Sequence, residues 1–379
     1  MSGRLTCLIC LVSMFLVVGT ATALTSEERL GQSLFFDEDL SFNANQSCAT
    51  CHGPSVGWVG PDSSLNAAGS VYEGSIPGEF GDRKPPAAAY GGNSPILYFD
   101  DYEGLWVGGM FWDGRATGWT LGDPLAEQAL GPFLNPKEQA LPSPGAVIDI
   151  VKASDYAGLF ESVWGPGSLD DPQAYEYVGR SIAAYERSSE VSPYNSKYDA
   201  YVAGMAKLTG AEKKGMDLFF GKANCSLCHM PPDFTDFTYD NVGVPKNPLN
   251  PVYDWFGPGF IDPGLGGFLQ AAGYDEAVYG PEWGKHKVPT LRNVSLRLKP
   301  KGQSVKAYGH NGYFKSLKEI VHFYNTRDVP GAGLKGKPWP PAEYAATVNT
   351  EELGNLGLTD QEEDNLVAFM ETLSDGYQP

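Results

Sequence analysis

A mainly α-helical, loop-rich chain of two domains related by duplication is what the sequence predicts, and three observations predict it. The first is a pair of Cys-x-x-Cys-His motifs, Cys48-Ala49-Thr50-Cys51-His52 and Cys225-Ser226-Leu227-Cys228-His229. The second is a repeat ahead of each motif: residues 24–36 read LTSEERLGQSLFF and residues 208–220 read LTGAEKKGMDLFF, identical at seven of thirteen positions. The third is composition: 46 Gly and 29 Pro among 379 residues leave limited room for regular elements. Cys-x-x-Cys-His is a c-type haem attachment signal. The two thiols add to the porphyrin vinyl groups, and the adjacent histidine becomes the proximal iron ligand. The fold class is therefore mainly α, with two cytochrome c-like haem domains.

The elements follow in order. Each repeat opens with Leu-Thr-x-x-Glu, the spacing of a capping box, so a helix leads into each haem loop. Helices are predicted at 28–36, 124–130, 144–152, 175–188, 212–220, 316–324 and 359–373. The last has its own capping box, Thr359 to Glu362, and an apolar face of Leu366, Phe369, Met370 and Leu373. Strand signals are weak. The segment 230–285 is long and aromatic, as expected of a loop that wraps a cofactor.

The N-terminus reads as a secretory signal: Arg4, an apolar run from Leu8 to Val18, and the small residues Ala21-Thr22-Ala23 before the cut. The expected division is 1–23 signal peptide, 24–205 N-terminal haem c domain and 206–379 C-terminal haem c domain. The protein is expected to be periplasmic or otherwise exported, with no membrane span once the signal is cleaved. Cleavage removes Cys7 and Cys10, so every remaining cysteine belongs to a haem motif. Loss of Arg4 takes the net charge from −19 to −20. That acidity argues against nucleic acid and anionic membrane, and suits either a basic redox partner or simple solubility.

The occupant of the second axial position sets the job of a haem iron. Histidines are His52, His229, His286, His310 and His322, with none between the two motifs. The first haem therefore has no second histidine from its own domain. Met110 and Met205 are its only nearby methionines before Met216. An open sixth site there would bind peroxide. For the second haem, Met230 adjoins His229 and cannot reach the other face. Met370 fits the core face of the last helix. His310, His322 and Tyr324 are the other candidates, and a tyrosinate would stabilise high-valent iron.

These residues resemble the bacterial di-haem cytochrome c peroxidase/MauG family from about Leu24 to the C-terminus. LGQSLFFDEDLSFNANQSCATCH resembles its first haem block, and Phe111-Trp112-Asp113-Gly114-Arg115 its FWDGR motif. Gln128, Pro132, Asn135-Pro136 and Glu138 resemble its Q-A-x-x-P-x-x-N-P-x-E stretch. Val288-Pro289-Thr290-Leu291-Arg292-Asn293 resembles VPTLRN, and His310-Asn311-Gly312, Leu317 and Phe323-Tyr324-Asn325 its H-[DN]-G…L…FYN end. The resemblance implies that His52 holds a peroxide-reactive haem, with Gln128 and Glu138 lining its distal pocket and Pro132 limiting access. A pocket carboxylate can move a proton between peroxide oxygens, and a donor can polarise the leaving oxygen. It implies that Trp112 sits between the haems and relays electrons, while Asp113 and Arg115 anchor local structure or a propionate. It implies that His229 holds an electron-transfer haem and that Tyr324 takes the place of the peroxidases' methionine, as in the MauG branch. His310 would support a propionate or pocket hydrogen bond; His286 and His322 read as surface or core histidines.

Two departures stand out. Extra residues at 117–124 could reshape the entrance to the first haem. The family often binds Ca2+ between domains through an Asn after an Arg, but here Arg83 is followed by Lys84 and Pro85-Pro86. Lysine repels a dication, which puts the ion in doubt; the other expected ligands, carbonyls near Val305 and Ala307, survive side-chain changes.

Three functions compete. One is reduction of hydrogen peroxide with electrons from a small cytochrome c or cupredoxin. Another is a MauG-like oxidation of Trp or Tyr side chains of a partner protein, which Tyr324 favours. The third, a non-enzymatic di-haem electron carrier, needs two six-coordinate irons, and the missing N-domain histidine and the Gln128/Glu138 pair oppose it. The diferric protein is expected to react with peroxide without prior reduction.

Overall fold

The computed structural model describes residues 23–297 and 304–378; the expected signal peptide lies outside them, but for Ala23. Helices dominate, and the only strands among the described residues form two short antiparallel ribbons, Tyr98–Asp100 with Leu105–Val107 and Tyr239–Asp240 with His286–Lys287. No helix is long and apolar enough to cross a membrane among the described residues.

Two hydrophobic clusters form, one around each repeat. In the first, helix Ser26–Phe36 crosses Ala174–Arg187, which also packs on Pro124–Leu134. In the second, Gly210–Phe219 crosses Asp360–Glu371, with Leu317–Thr326 alongside. The Thr25–Glu28, Thr209–Glu212 and Thr359–Glu362 capping boxes all form, each satisfying N-terminal amides that would otherwise be orphaned.

The duplication extends to single atoms. A Cβ added at Gly31 would sit 1.9 Å from the carbonyl oxygen of Ser181, and one at Gly215 would sit 1.8 Å from that of Asn365. The shared glycine of the repeat lets each pair of helices touch backbone to backbone. Around each crossing stands an aromatic triad. Phe35, Trp58 and Tyr185 have ring centroids 5.6–6.0 Å apart. Phe219, Phe234 and Phe369 repeat the arrangement at 5.1–6.4 Å. Edge-on packing of this kind contributes beyond area burial alone.

All seven predicted helices are present. Helices Ala157–Trp164, Lys197–Val202 and Gly264–Ala271 were not expected. The last reads GLGGFLQA, and glycine costs about 1 kcal/mol per interior position relative to alanine. Tertiary packing overrides that cost: Leu265 and Leu269 are fully buried beside Leu97, Trp106 and Tyr239. The ribbons were missed because two or three residues are too few to show alternation.

Candidate active site

A cavity of about 420 Å³ brings together Cys48, Cys51 and His52 with Gln128, Pro132 and Glu138. Local structure explains the second group. Asp123 caps helix Pro124–Leu134 by accepting from Leu125 N and Ala126 N, and Pro124 occupies its first turn. Gln128 and Pro132, four residues apart, share one helical face. The chain then turns: Glu138 N donates to Asn135 O at 3.0 Å, and Ser75 N donates to Glu138 O at 2.7 Å. Burial pushes the Glu138 carboxyl upward, opposed by nearby Arg115.

The two motif histidines are set alike. His52 Nδ1 lies 3.2 Å from the Trp58 carbonyl oxygen, and His229 Nδ1 lies 2.9 Å from that of Phe234. Both acceptor residues adopt left-handed backbone, φ 60° at Trp58 and 54° at Phe234, uncommon for bulky side chains. With Nδ1 engaged, Nε2 is the nitrogen left to ligate iron. Burial lowers both histidines, His52 to about 4, so both are neutral as a metal requires. The four motif cysteines are free, and burial raises their thiols, those of Cys225 and Cys228 to about 12.

The second site is a cleft in two parts, cavities of about 140 and 120 Å³ that share Cys225, His229 and Tyr324 in their walls. Met370 lines the first part from within the second hydrophobic cluster. Met230 and Met205 are exposed. His322 is committed elsewhere, its Nδ1 2.9 Å from Glu363 and its Nε2 3.3 Å from the Gly333 carbonyl. Burial, Asp240 and the two cysteines push the Tyr324 phenol upward, so only a directly coordinated cation would hold it as phenolate.

Trp112 lines the first cavity and both parts of the second. Its motif is a tight turn: Met110 N donates to Ala116 O, and Asp113 accepts from Arg115 N. Asp113 also takes Arg83 Nη1 at 2.6 Å, while the other guanidinium nitrogens of Arg83 grip Asp262 at 2.7 Å. Asp113 is thus a structural anchor. Arg115 both pairs with Asp113 and lines the first cavity, so it fits either of the two roles the motif suggests, local anchor or propionate partner.

Some other residues at the two sites are absent from the sequence reading. Glu186 is 4% exposed, lines the first cavity, and is raised to about 8 by burial. Its signal was present: it follows Ile182 by four on the apolar stripe of its helix. Its Oε2, with Oε1 of Gln46 and of Gln139, is buried without a hydrogen-bond partner in the wall of this cavity. His286 is buried, its ring stacked on His310 at 3.6 Å beside Asp262. His310 lines the second cleft, its Nε2 3.7 Å from Glu343. The 117–124 segment adds no wall to the first cavity; it folds over Glu127, whose carboxylate accepts from Gly118, Thr120 and Leu121 amides.

Thiol pairs beside neutral imidazoles, orphaned polar oxygens and two sizeable cavities fit two haems. Calcium fits poorly. Residue 84 offers an ammonium, the Val305 carbonyl already accepts from Asn66 Nδ2 at 3.2 Å, and Lys306 Nζ fills the neighbouring carbonyl cage.

Comparison with known proteins agrees. Residues 25–207 match the family described as di-haem cytochrome c peroxidase. The methylamine utilization protein MauG of Paracoccus denitrificans is 36% identical over 397 aligned residues, spanning 99% of this chain and 97% of that protein. This chain belongs to the di-haem cytochrome c peroxidase/MauG family. Its members carry haem, and it is an oxidoreductase of that family. A cytochrome-c peroxidase of Denitromonas iodatirespirans is 28% identical over 91% of this chain and 80% of its own length. The crystal structure of the diheme peroxidase BthA from Burkholderia thailandensis superposes with a TM-score of 0.79 at 31% identity, covering 94% of this chain and 87% of that one. The mainly helical fold is shared with that family member.

Proposed function

We propose that this chain is an exported enzyme that reduces hydrogen peroxide at the His52 cavity, with electrons received from a small redox protein by way of the His229 cleft. The observation that carries the proposal is the meeting of His52, Gln128, Pro132 and Glu138 in one cavity whose wall, Trp112, also walls the second. Haem, held by thioethers to Cys48/Cys51 and Cys225/Cys228, supplies one-electron redox chemistry at each site. The chain supplies the rest. Glu138 takes a proton from the near peroxide oxygen and delivers one to the far oxygen. The Gln128 amide donates to the leaving oxygen, Pro132 narrows the approach, and Trp112 links the two sites. Two electrons and two protons convert each peroxide to two waters, and the electron donor is oxidised. The N-terminal charge and hydropathy pattern supports export.

A second reading is a MauG-like oxidation of Trp or Tyr side chains on a partner protein. Tyr324 supports it: this residue lines both parts of the second cleft, where the exposed Met230 cannot ligate. Among similar structures is a tyrosine-to-methionine variant of the peroxidase BthA. Addition of hydrogen peroxide to the diferric protein, followed by optical and EPR spectroscopy, separates the readings. Loss of ferric signals at both haems without reductant supports tyrosine ligation and charge sharing. No reaction until one haem is reduced excludes it and leaves a peroxidase that needs prior reduction. Tyr324→Met should convert the first behaviour into the second.

A further inference from the structure

Lys84 and Lys306 are 7% and 6% exposed. Lys84 lines both the first cavity and the second cleft, and Lys306 lines the second. Neither ammonium meets a carboxylate among the described residues. Lys84 Nζ donates to the Pro85 carbonyl at 2.9 Å. Lys306 Nζ sits in a cage of three main-chain oxygens, Asn293 at 2.7 Å, Val56 at 2.9 Å and Leu296 at 3.2 Å. Carbonyl dipoles solvate an ammonium without neutralising it, while burial, and for Lys306 also the nearby Lys84 and Arg297, pushes both groups toward the neutral amine unless an anion is supplied. Buried charges of this kind are normally compensated by an anion. A haem held in either cavity would bring two propionate carboxylates, the anions these side chains lack.

The same two lysines occupy the stretch where the family resemblance would put a calcium ion. Residue 84 replaces the expected amide ligand, and residue 306 lies between the two expected carbonyl donors, at Val305 and Ala307. Its separations of 2.7–3.2 Å are those of N–H···O bonds, longer than the roughly 2.3–2.6 Å of calcium–oxygen bonds.

We propose that the ammonium groups of Lys84 and Lys306 stand in for a bound dication in this chain. Lys84 puts positive charge at the wall shared by both cavities and Lys306 puts it at the second, they hold haem propionates there, and the enzyme needs no calcium. The residue that supplies one of the charges also orients the relay, since Trp112 Nε1 donates to the Lys84 carbonyl oxygen at 2.7 Å.

The test uses the haem-loaded full chain, and reads metal content and haem potentials, so it stands whichever peroxide-driven reaction the enzyme performs. Metal analysis of purified protein should find calcium well below one per chain, and EGTA should leave the EPR spectra of both haems unchanged. Lys84→Met and Lys306→Met should each lower a haem midpoint potential, because a nearby cation favours the reduced, less positive iron; Lys84→Arg should hold it. The double variant Lys84→Asn/Lys306→Ala, titrated with calcium chloride in a calorimeter, should gain a calcium site that the parent lacks. Two results overturn the proposal. One is tightly bound calcium in the parent whose removal alters the spectra or slows the peroxide reaction by more than about tenfold. The other is methionine variants with full haem content and unmoved potentials. Where a methionine variant does not load haem, the chelation result and Lys84→Arg decide.

Discussion

The main-chain oxygen of Lys84 accepts the indole N–H of Trp112 at 2.7 Å, while the amide of Lys84 donates to the His310 carbonyl at 2.7 Å. One residue thus ties the indole to a segment of the second cleft. The tryptophan ring, 8% exposed, is held at the wall shared by both cavities, and its only polar atom is satisfied. In the proposed mechanism a ring so fixed would give a constant path between the sites.

Trp112→Phe removes both the path and the hydrogen bond. The orphaned Lys84 carbonyl costs about 1–3 kcal/mol, visible as a lower unfolding temperature. Haem content should be unchanged, and peroxide-driven oxidation at the second haem should slow by at least tenfold in rapid-mixing optical measurements. An unchanged rate would remove Trp112 from the route.

Glu138→Gln should slow the reaction with peroxide by about 10²- to 10⁴-fold, the usual contribution of a positioned acid–base group. Burial raises this carboxyl, so its ionised, proton-accepting form appears at higher pH than that of an ordinary glutamate. The parent's rate should therefore climb with pH through that raised value, and the glutamine variant should lack the climb. A variant that keeps the same pH limb would assign it to another group.

Glu186 makes a stability prediction whose sign follows from linkage. Its folded value, about 8, lies above its ordinary 4.5. Between these values the unfolded chain has released a proton that the folded chain keeps, so each unit of rising pH lowers stability by about 1.4 kcal/mol. Below the lower value there is no difference. Glu186→Gln should accordingly match the parent at pH 4 and exceed it by roughly 4 kcal/mol at pH 8. Thermal unfolding of the haem-loaded protein at the two pH values checks this.

Gly215→Ala would set a methyl group 1.8 Å from the Asn365 carbonyl, and Gly31→Ala one 1.9 Å from that of Ser181. Neither carbonyl can withdraw, because each belongs to the interior of the facing helix. Each change should cost about 3 kcal/mol or more, at the upper end of overpacking. The loss should appear as a lower midpoint in denaturant titration, and equal costs in the two halves would reflect their shared packing.

Much of the fold was legible because its signals are short in sequence. Thr25 and Glu28, or Thr209 and Glu212, are three residues apart and cap a helix wherever it lies. Cys48 to His52 and Cys225 to His229 are single turns. The meeting of Gln128, Pro132 and Glu138 follows from one helix and the turn after it. The Gly264–Ala271 helix escaped because three glycines argue against it locally, and packing on the distant Leu97, Trp106 and Tyr239 sustains it.

Taken alone, the chain's order of residues determined two helix-led Cys-x-x-Cys-His units, the identity of their histidines, and the shortage of methionine that draws attention to Tyr324. Tertiary structure decided what faces what. Glu186 is an ordinary helical glutamate until its helix packs against the first cavity, and Lys84 a surface-type residue until Arg83 clamps Asp113 and Asp262 beside it. Burial, charge balance and the wall that Trp112 shares between two sites depend on segments far apart in the chain, and those distances exist only after folding.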